Sequence, residues 1–379
     1  MVYFIIIFSF LFLYSYILYP LTLVFLLKNK KLHEIPKNID FQKKIAVVIA
    51  AYNESQYIDE TIFNVKMALS GFTNAQIYVG DDGSDDDTSA ILGQIKQIHV
   101  SQFKRIGKGN VLNQIIEQNQ LKQHSDILIF LDANIKVDQE AIKELVSYFT
   151  SDEVGIVGTY VMPSQQKNNI ESEYVLRENR WKWMESLVFG NAIGVFGACY
   201  GMRSKFYNTI PSDFITDDLY LSMHAIQNKK RILINPEAQV FENMESSIIN
   251  EFNRKKRYAA GNFQVFFKFF ELLNPFEYSF GFVYSYFFHK VVRWFLPVFA
   301  FLIFVFSIAF LPFGAIYKVL SLLSILILLY LWLIFKNKIN VDFQKSKISY
   351  FLFMNLAILI GFFSFLKGIK KNTWQRSDR

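Results

Sequence analysis

Four short groups of polar residues in this chain have the composition of a site that handles phosphorylated substrates. Asp132-Ala133-Asn134 places an acid and an amide two residues apart at the end of the apolar run 127–131. On an extended chain such residues point to the same face, so both side chains can converge on one point beyond a sheet. Hard cations such as Mg²⁺ or Mn²⁺ take oxygen clusters of that kind, usually with phosphates completing the shell. Asp81-Asp82-Gly83-Ser84 and Ala51-Tyr52-Asn53-Glu54 follow two other apolar runs. Carboxylates at such ends can accept from a base N–H or a ribose hydroxyl, and Gly83 allows a tight turn. Thr216-Asp217-Asp218 opens a helix, where paired acids either cap it or leave one free to take a proton.

Two basic groups complete the set. Gly107-Lys108-Gly109 precedes a helix, where a lysine on flexible backbone suits a phosphate; its bland alternative is a solvated turn. It is neither a dinucleotide fingerprint nor a P-loop, which weakens oxidoreductase and NTPase readings. Arg254-Lys255-Lys256-Arg257-Tyr258 either holds anionic headgroups or closes over a pyrophosphate.

An α/β domain has to position these groups. Strands are expected at 45–52, 76–80, 99–103 and 127–131, alternating with helices at 55–68, 88–98, 109–119 and 139–149. Repeated βα units of this length imply a doubly wound, Rossmann-like, mostly parallel sheet. Beyond it the sequence predicts a strand at 155–161, a long amphipathic helix at 170–189, a strand at 197–203, a helix from Asp217 and a strand at 232–235. Open sheets bind ligands outside the carboxyl ends of their strands, which is where the acids fall.

The remainder reads as membrane. Of 379 residues 52% are apolar, and 41 are Phe. Segment 2–27 is long enough to cross a hydrocarbon core of about 30 Å and lacks a basic leader or cleavage site, so it is expected to be a retained anchor. Lys28, Lys30 and Lys31 follow it, which puts the next region in the cytoplasm. A polar linker (28–43) leads to a soluble domain (44–261); an aromatic, interfacial stretch (262–293) and a C-terminal membrane region (294–379) follow. Spans are expected near 294–311, 319–335 and 349–366, and a basic tail carries Lys367, Lys370, Lys371, Arg376 and Arg379. Net charge is +7, much of it beside apolar segments, so membrane lipids explain it better than nucleic acid. Cys199 is the single cysteine, and the scattered histidines argue against zinc.

The order of these motifs resembles membrane-bound glycosyltransferase family 2, close to the cellulose, hyaluronan and poly-N-acetylglucosamine synthases. The resemblance implies a Rossmann-like GT-A domain with flanking transmembrane helices. It also implies inverting, metal-dependent transfer from a nucleotide diphosphate sugar, a UDP-sugar, to a saccharide or lipid-linked acceptor. Segment 47–54, with Ala51, Tyr52 and Glu54, resembles the strand that contacts the nucleotide. Asp81 and Asp82 resemble the uridine-binding turn, and Lys108 the phosphate-side loop. Asp132, Ala133 and Asn134 match the metal-binding element, although Asn134 is neutral, so Mg²⁺ or Mn²⁺ would lean on Asp132, the diphosphate and water. Asp217 and Asp218 match the paired-acid element whose second member is the catalytic base. Arg254, Arg257 and Tyr258 align with the Gln-x-x-Arg-Trp element near the acceptor entrance, with Arg and Tyr where the family has Gln and Trp. Partners for polysaccharide export stay open, and an inactive nucleotide-binding scaffold is the rival reading.

Overall fold

The computed structural model describes residues 2–29, 37–164, 170–243, 247–310, 314–335, 343 and 346–369. Lys30, Lys31, part of the linker, and the tail residues Lys370, Lys371, Arg376 and Arg379 lie outside the described residues.

Apolar runs form the strands β1 (Ile45–Ala51), β2 (Ala75–Asp81) and β4 (Ile127–Asp132), and the short, more polar and exposed edge strand β3 (His99–Gln102) joins β2; all pair in parallel. Every residue of β1 is buried, as expected for a strand covered on both faces. One face, including Val48, Ala50 and Phe130, packs on the helices Lys108–Gln118 and Asp217–Gln227. The other, including Val47, Ile49 and Ile129, packs on Ile58–Ala68 and Ala141–Ser147.

The sheet continues through β5 (Lys136–Val137), β6 (Val154–Pro163), β7 (Cys199–Arg203) and β8 (Arg231–Glu242), in the order β3-β2-β1-β4-β7-β6-β8-β5. The sheet is mostly parallel, as expected, but mixed, because two of its eight strands are reversed. β7 runs antiparallel to both β4 and β6, and β5 runs antiparallel to β8. The reversal matters for the site, because it brings the start of β7 to the carboxyl end of β4: the Asp132 amide donates to the Ala198 carbonyl at 3.0 Å.

The helix Ile170–Phe189 is present but is not amphipathic. It buries Glu171, Glu178, Lys182 and Glu185 as well as Trp181 and Met184, because it runs between the sheet domain and the apolar helices. Among the described residues four helices are long and apolar enough to cross a membrane: Tyr3–Asn29, Phe280–Ala309, Ala315–Ile334 and Lys347–Leu366. The second begins well before the expected position 294, so only the first half of the aromatic stretch lies outside it. Residues 262–268 of that half belong to the amphipathic helix Ile248–Lys268, which also carries Arg254, Arg257 and Tyr258, and the 3-10 turn Phe270–Leu273 follows it.

Two of the apolar helices widen into single π-type turns, Tyr14–Leu18 and Tyr286–Val291, a departure that tends to mark functional positions. The two turns meet. Ser15 Oγ donates to the Phe288 carbonyl at 2.6 Å, and Arg293 donates to the Ser15 carbonyl at 2.7 Å and to its Oγ at 3.1 Å. Arg293 and Lys290 also bind Glu178 at 3.2 and 2.8 Å, while His289 lies between Glu178 and Glu185. Glu185 in turn accepts from the Tyr19 hydroxyl of the first apolar helix. Buried charges persist when paired and hydrogen-bonded; here the pairing joins the sheet domain to two apolar helices.

Candidate active site

The parallel register brings the strand ends level, with Ala51 beside Asp81 and Ala50 beside Asp132. Two of these ends are tied together by a chain of short bonds. Asp81 Oδ1 accepts from the Ser84 amide and hydroxyl at 3.0 and 2.6 Å, Ser84 Oγ accepts from the Asn53 amide at 2.9 Å, and Asn53 Oδ1 accepts from the Asp85 amide at 2.9 Å.

Asp82 is fully buried and works inside the chain. Its two oxygens accept from the amides of Ile106 and Gly107 at 2.6 and 3.0 Å and from the Arg105 guanidinium at 3.0 Å. That carboxylate therefore shapes the turn that presents Lys108, with Gly107 at φ +90° where a side chain would strain. Arg105 also covers the Tyr52 ring, 3.2 Å from its centre.

Lys108 Nζ lies 2.8 Å from Asp132 Oδ1 and 3.3 Å from Asp217 Oδ2. Burial alone would lower the ammonium pKa, yet the attraction of Asp132 and Asp217 holds it well above its usual range. Asp218 has the opposite balance. Burial and the neighbouring Asp217 push its carboxyl up to about 6, against a smaller pull from Lys108. One carboxylate of the pair is thus held by a cation and the other is left as a proton acceptor.

A cavity of about 750 Å³ joins these groups. Glu54, Lys108, Asp132, Asn134, Asp217, Asp218, Arg254, Arg257 and Tyr258 all line it. Ala51, Tyr52, Asp81, Asp82 and Ala133 do not; Ala133 is buried, its carbonyl accepting from Thr61 Oγ1 at 2.9 Å. Arg254 is ion-paired with Glu171 and lies 3.9 Å from Glu242, and the Arg257 guanidinium sits 5.0 Å from the centre of the Tyr258 ring.

Motif reasoning gives the long helix no site residue, yet it contributes Glu171, Glu178 and Lys182 to the same cavity. A signal was available: Glu171, Glu178 and Glu185 recur at seven-residue spacing, which puts them on one helix face. The loop before Asp217 is braced by the helix Ile248–Lys268. Gln264 accepts from the Ile215 amide at 3.2 Å and donates to the Asp213 carbonyl at 2.8 Å. Gly261 permits that approach, since a Cβ there would come 2.9 Å from Ile215 and Thr216.

Among the described residues no group of three or more His, Cys, Asp or Glu side chains could cage a metal. Asp132 and Asn134 do fit the sparser arrangement in which one carboxylate and substrate phosphates share a magnesium ion.

A mixed sheet whose strand ends gather acids around one cavity, with apolar helices alongside, is a GT-A glycosyltransferase fold. Its overall likeness to the solved mannosyltransferase from Pyrobaculum calidifontis, determined with GDP-mannose and Mn²⁺, covers 95% of this chain and 98% of that one, with a TM-score of 0.63 at 16% identity. Residues 46–210, less than half of the chain, match the family model described as glycosyl transferase family 2. The poly-beta-1,6-N-acetyl-D-glucosamine synthase of Staphylococcus aureus is 35% identical over 119 residues, 30% of this chain and 27% of that protein. The beta-monoglucosyldiacylglycerol synthase of Synechocystis is 24% identical over 237 residues, 58% of this chain and 48% of that protein. The alignments thus span between about a quarter and a half of these curated relatives.

Proposed function

We propose that the protein is a multi-pass membrane glycosyltransferase. It moves a sugar, with inversion, from a UDP-sugar to a saccharide or lipid-linked acceptor at the cytosolic membrane face, in cell-surface polysaccharide synthesis. The observation that carries this reading is that Asp218, an acid whose carboxyl is raised to about 6, shares one cavity with the Lys108–Asp132 pair. A base near neutrality and, in the same cavity, a lysine beside an acid that can take a divalent cation are the two parts the reaction needs.

Asp218 accepts the proton of the acceptor hydroxyl as that oxygen bonds to the anomeric carbon. The bond from that carbon to the diphosphate oxygen breaks, and the electron pair leaves with UDP. Lys108 stays protonated and offsets the charge gathering on the diphosphate, while Asp217 holds Lys108 in place. Asp132, with Asn134 beside it, would hold Mg²⁺ or Mn²⁺, which supplies further positive charge to the leaving group when bound. Glu54 and the turn shaped by Asp81 and Asp82 border the nucleotide. Arg254, Arg257 and Tyr258 lie on the acceptor side.

The test uses the full chain purified in detergent and a panel of nucleotide sugars with Mg²⁺ or Mn²⁺, scored for diphosphate release and product size. Release from one UDP-sugar, dependent on the divalent ion, is expected. Absence of release from every donor would favour the inactive scaffold.

A further inference from the structure

The helix Ile170–Phe189 holds a carboxylate that the transfer reading leaves unused. Glu185 is fully buried and lies outside the cavity lining, so it touches neither substrate nor the proposed base. Its Oε1 accepts from the Tyr19 hydroxyl and meets Nδ1 of His289, while its Oε2 accepts from the Ile193 amide at 3.1 Å. Tyr19 directly follows the π-type turn Tyr14–Leu18, and His289 lies within the second such turn, Tyr286–Val291. Two apolar helices thus meet at one carboxylate. Although burial opposes it, His289 and the Tyr19 hydroxyl hold that carboxyl below its usual range.

The Ile193 amide starts a short path from Glu185 to Asp218. The connection 190–198 joins the long helix to β7, and its inner part runs along the first two turns of the helix Asp217–Gln227. Gly194, at φ +74°, would bring a Cβ 3.1 Å from Leu219, and the Val195 amide donates to Ser222 Oγ at 3.4 Å. Gly197 then lies against the Asp218 carboxylate. Ile193, Val195, Phe196 and Gly197 all line the cavity. On its other side the connection is fixed to β8, where the Ala192 amide donates to the Ile232 carbonyl at 2.8 Å. Glu185 therefore supplies the hold that depends on the apolar helices, and segments packed this closely pass a displacement on instead of absorbing it.

We propose that Glu185 is a positioning residue: it transmits the placement of the two apolar helices, through residues 193–197, to the carboxylate of Asp218. The proposal rests on the glycosyl-transfer reading for the role of Asp218, and adds a residue that acts on that base from outside the cavity.

Hydrogen exchange of the full chain in detergent tests the link without turnover. Glu185→Gln is expected to speed amide exchange at residues 193–197 by at least about tenfold, the scale of a lost hydrogen bond to a charged group. Tyr19→Phe, which removes one hydroxyl from the first apolar helix, is expected to speed it at the same residues. Single-turnover rates of both variants should fall by about tenfold, as for a displaced reacting group, with UDP affinity by calorimetry unchanged. In a double-mutant cycle of Glu185→Gln with Gly197→Ala, the two losses in rate should be non-additive, because both act on one segment. Unchanged exchange at 193–197 in both variants overturns the proposal, as do additive losses in rate. Absence of diphosphate release from the unsubstituted chain would instead remove the transfer reading, while the exchange result still decides the link.

Discussion

Gly197 lies so close to Asp218 that a Cβ on it would come 3.2 Å from the carboxylate Oδ2. The start of β7 is therefore the wall against which the proposed base is set. Gly197→Val adds bulk that must displace the carboxylate or the strand. It is expected to lower kcat by about tenfold or more, since small misplacements of a reacting group are costly, with UDP affinity unchanged. Single-turnover rates beside calorimetric UDP binding check this; an unaltered rate would mean that Asp218 is not the group in use.

Asp218→Asn is expected to leave donor binding nearly intact and to cut transfer by about two to four orders of magnitude. The same group sets the acid limb of the pH profile. A base works when ionised, and this carboxyl is raised to about 6. The kcat/KM of the unsubstituted protein should thus fall about tenfold per pH unit below that value and level off above it. The residual activity of the Asn variant should lack this limb.

Asp132→Ala removes the carboxylate expected to share a divalent ion with the diphosphate. UDP binding measured by calorimetry with and without Mn²⁺ should lose its metal dependence. Affinity that still rises with Mn²⁺ would count against Asp132 as the ligand.

At the junction with the apolar helices, Glu178→Ala leaves Lys290, Arg293 and His289 without their shared carboxylate. Although burial opposes it, Lys290 and His289 hold that carboxyl well below the usual range. Removing one partner from a buried charge cluster typically costs about 3–5 kcal/mol. A clearly lower melting temperature in detergent is expected, while the more conservative Glu178→Gln should lose less.

How much of this was legible in the sequence follows from range. β1, β2 and β4 read directly, because a run buried on both faces is apolar at every position, and the acids after them are adjacent in the chain. The antiparallel β7 was not legible as such, because strand direction is a property of the whole topology and leaves no mark on five residues. Asp82 shows a subtler gap. Its place in the motif pointed to the nucleotide, but its oxygens are engaged by the amides of Ile106 and Gly107, partners over twenty residues away. Lys182 and Glu178 escaped notice because a mixed charged and aromatic helix reads as surface until an apolar neighbour covers it. The aromatic stretch after residue 262 reads as one interfacial piece from composition, whereas its second half is continuous with a helix of 30 residues.

The brace formed by Gln264 and Gly261 would couple the proposed chemistry to a surrounding bilayer. The helix that holds the loop of Asp217 and Asp218 in place also ends in exposed Phe267 and, beyond it, Phe270, rings suited to the headgroup boundary. A leaflet that shifts those rings would tilt the lever on which the acid pair rests. Turnover in thin and thick bilayers should then differ, and identical turnover in both would show the lever to be rigid.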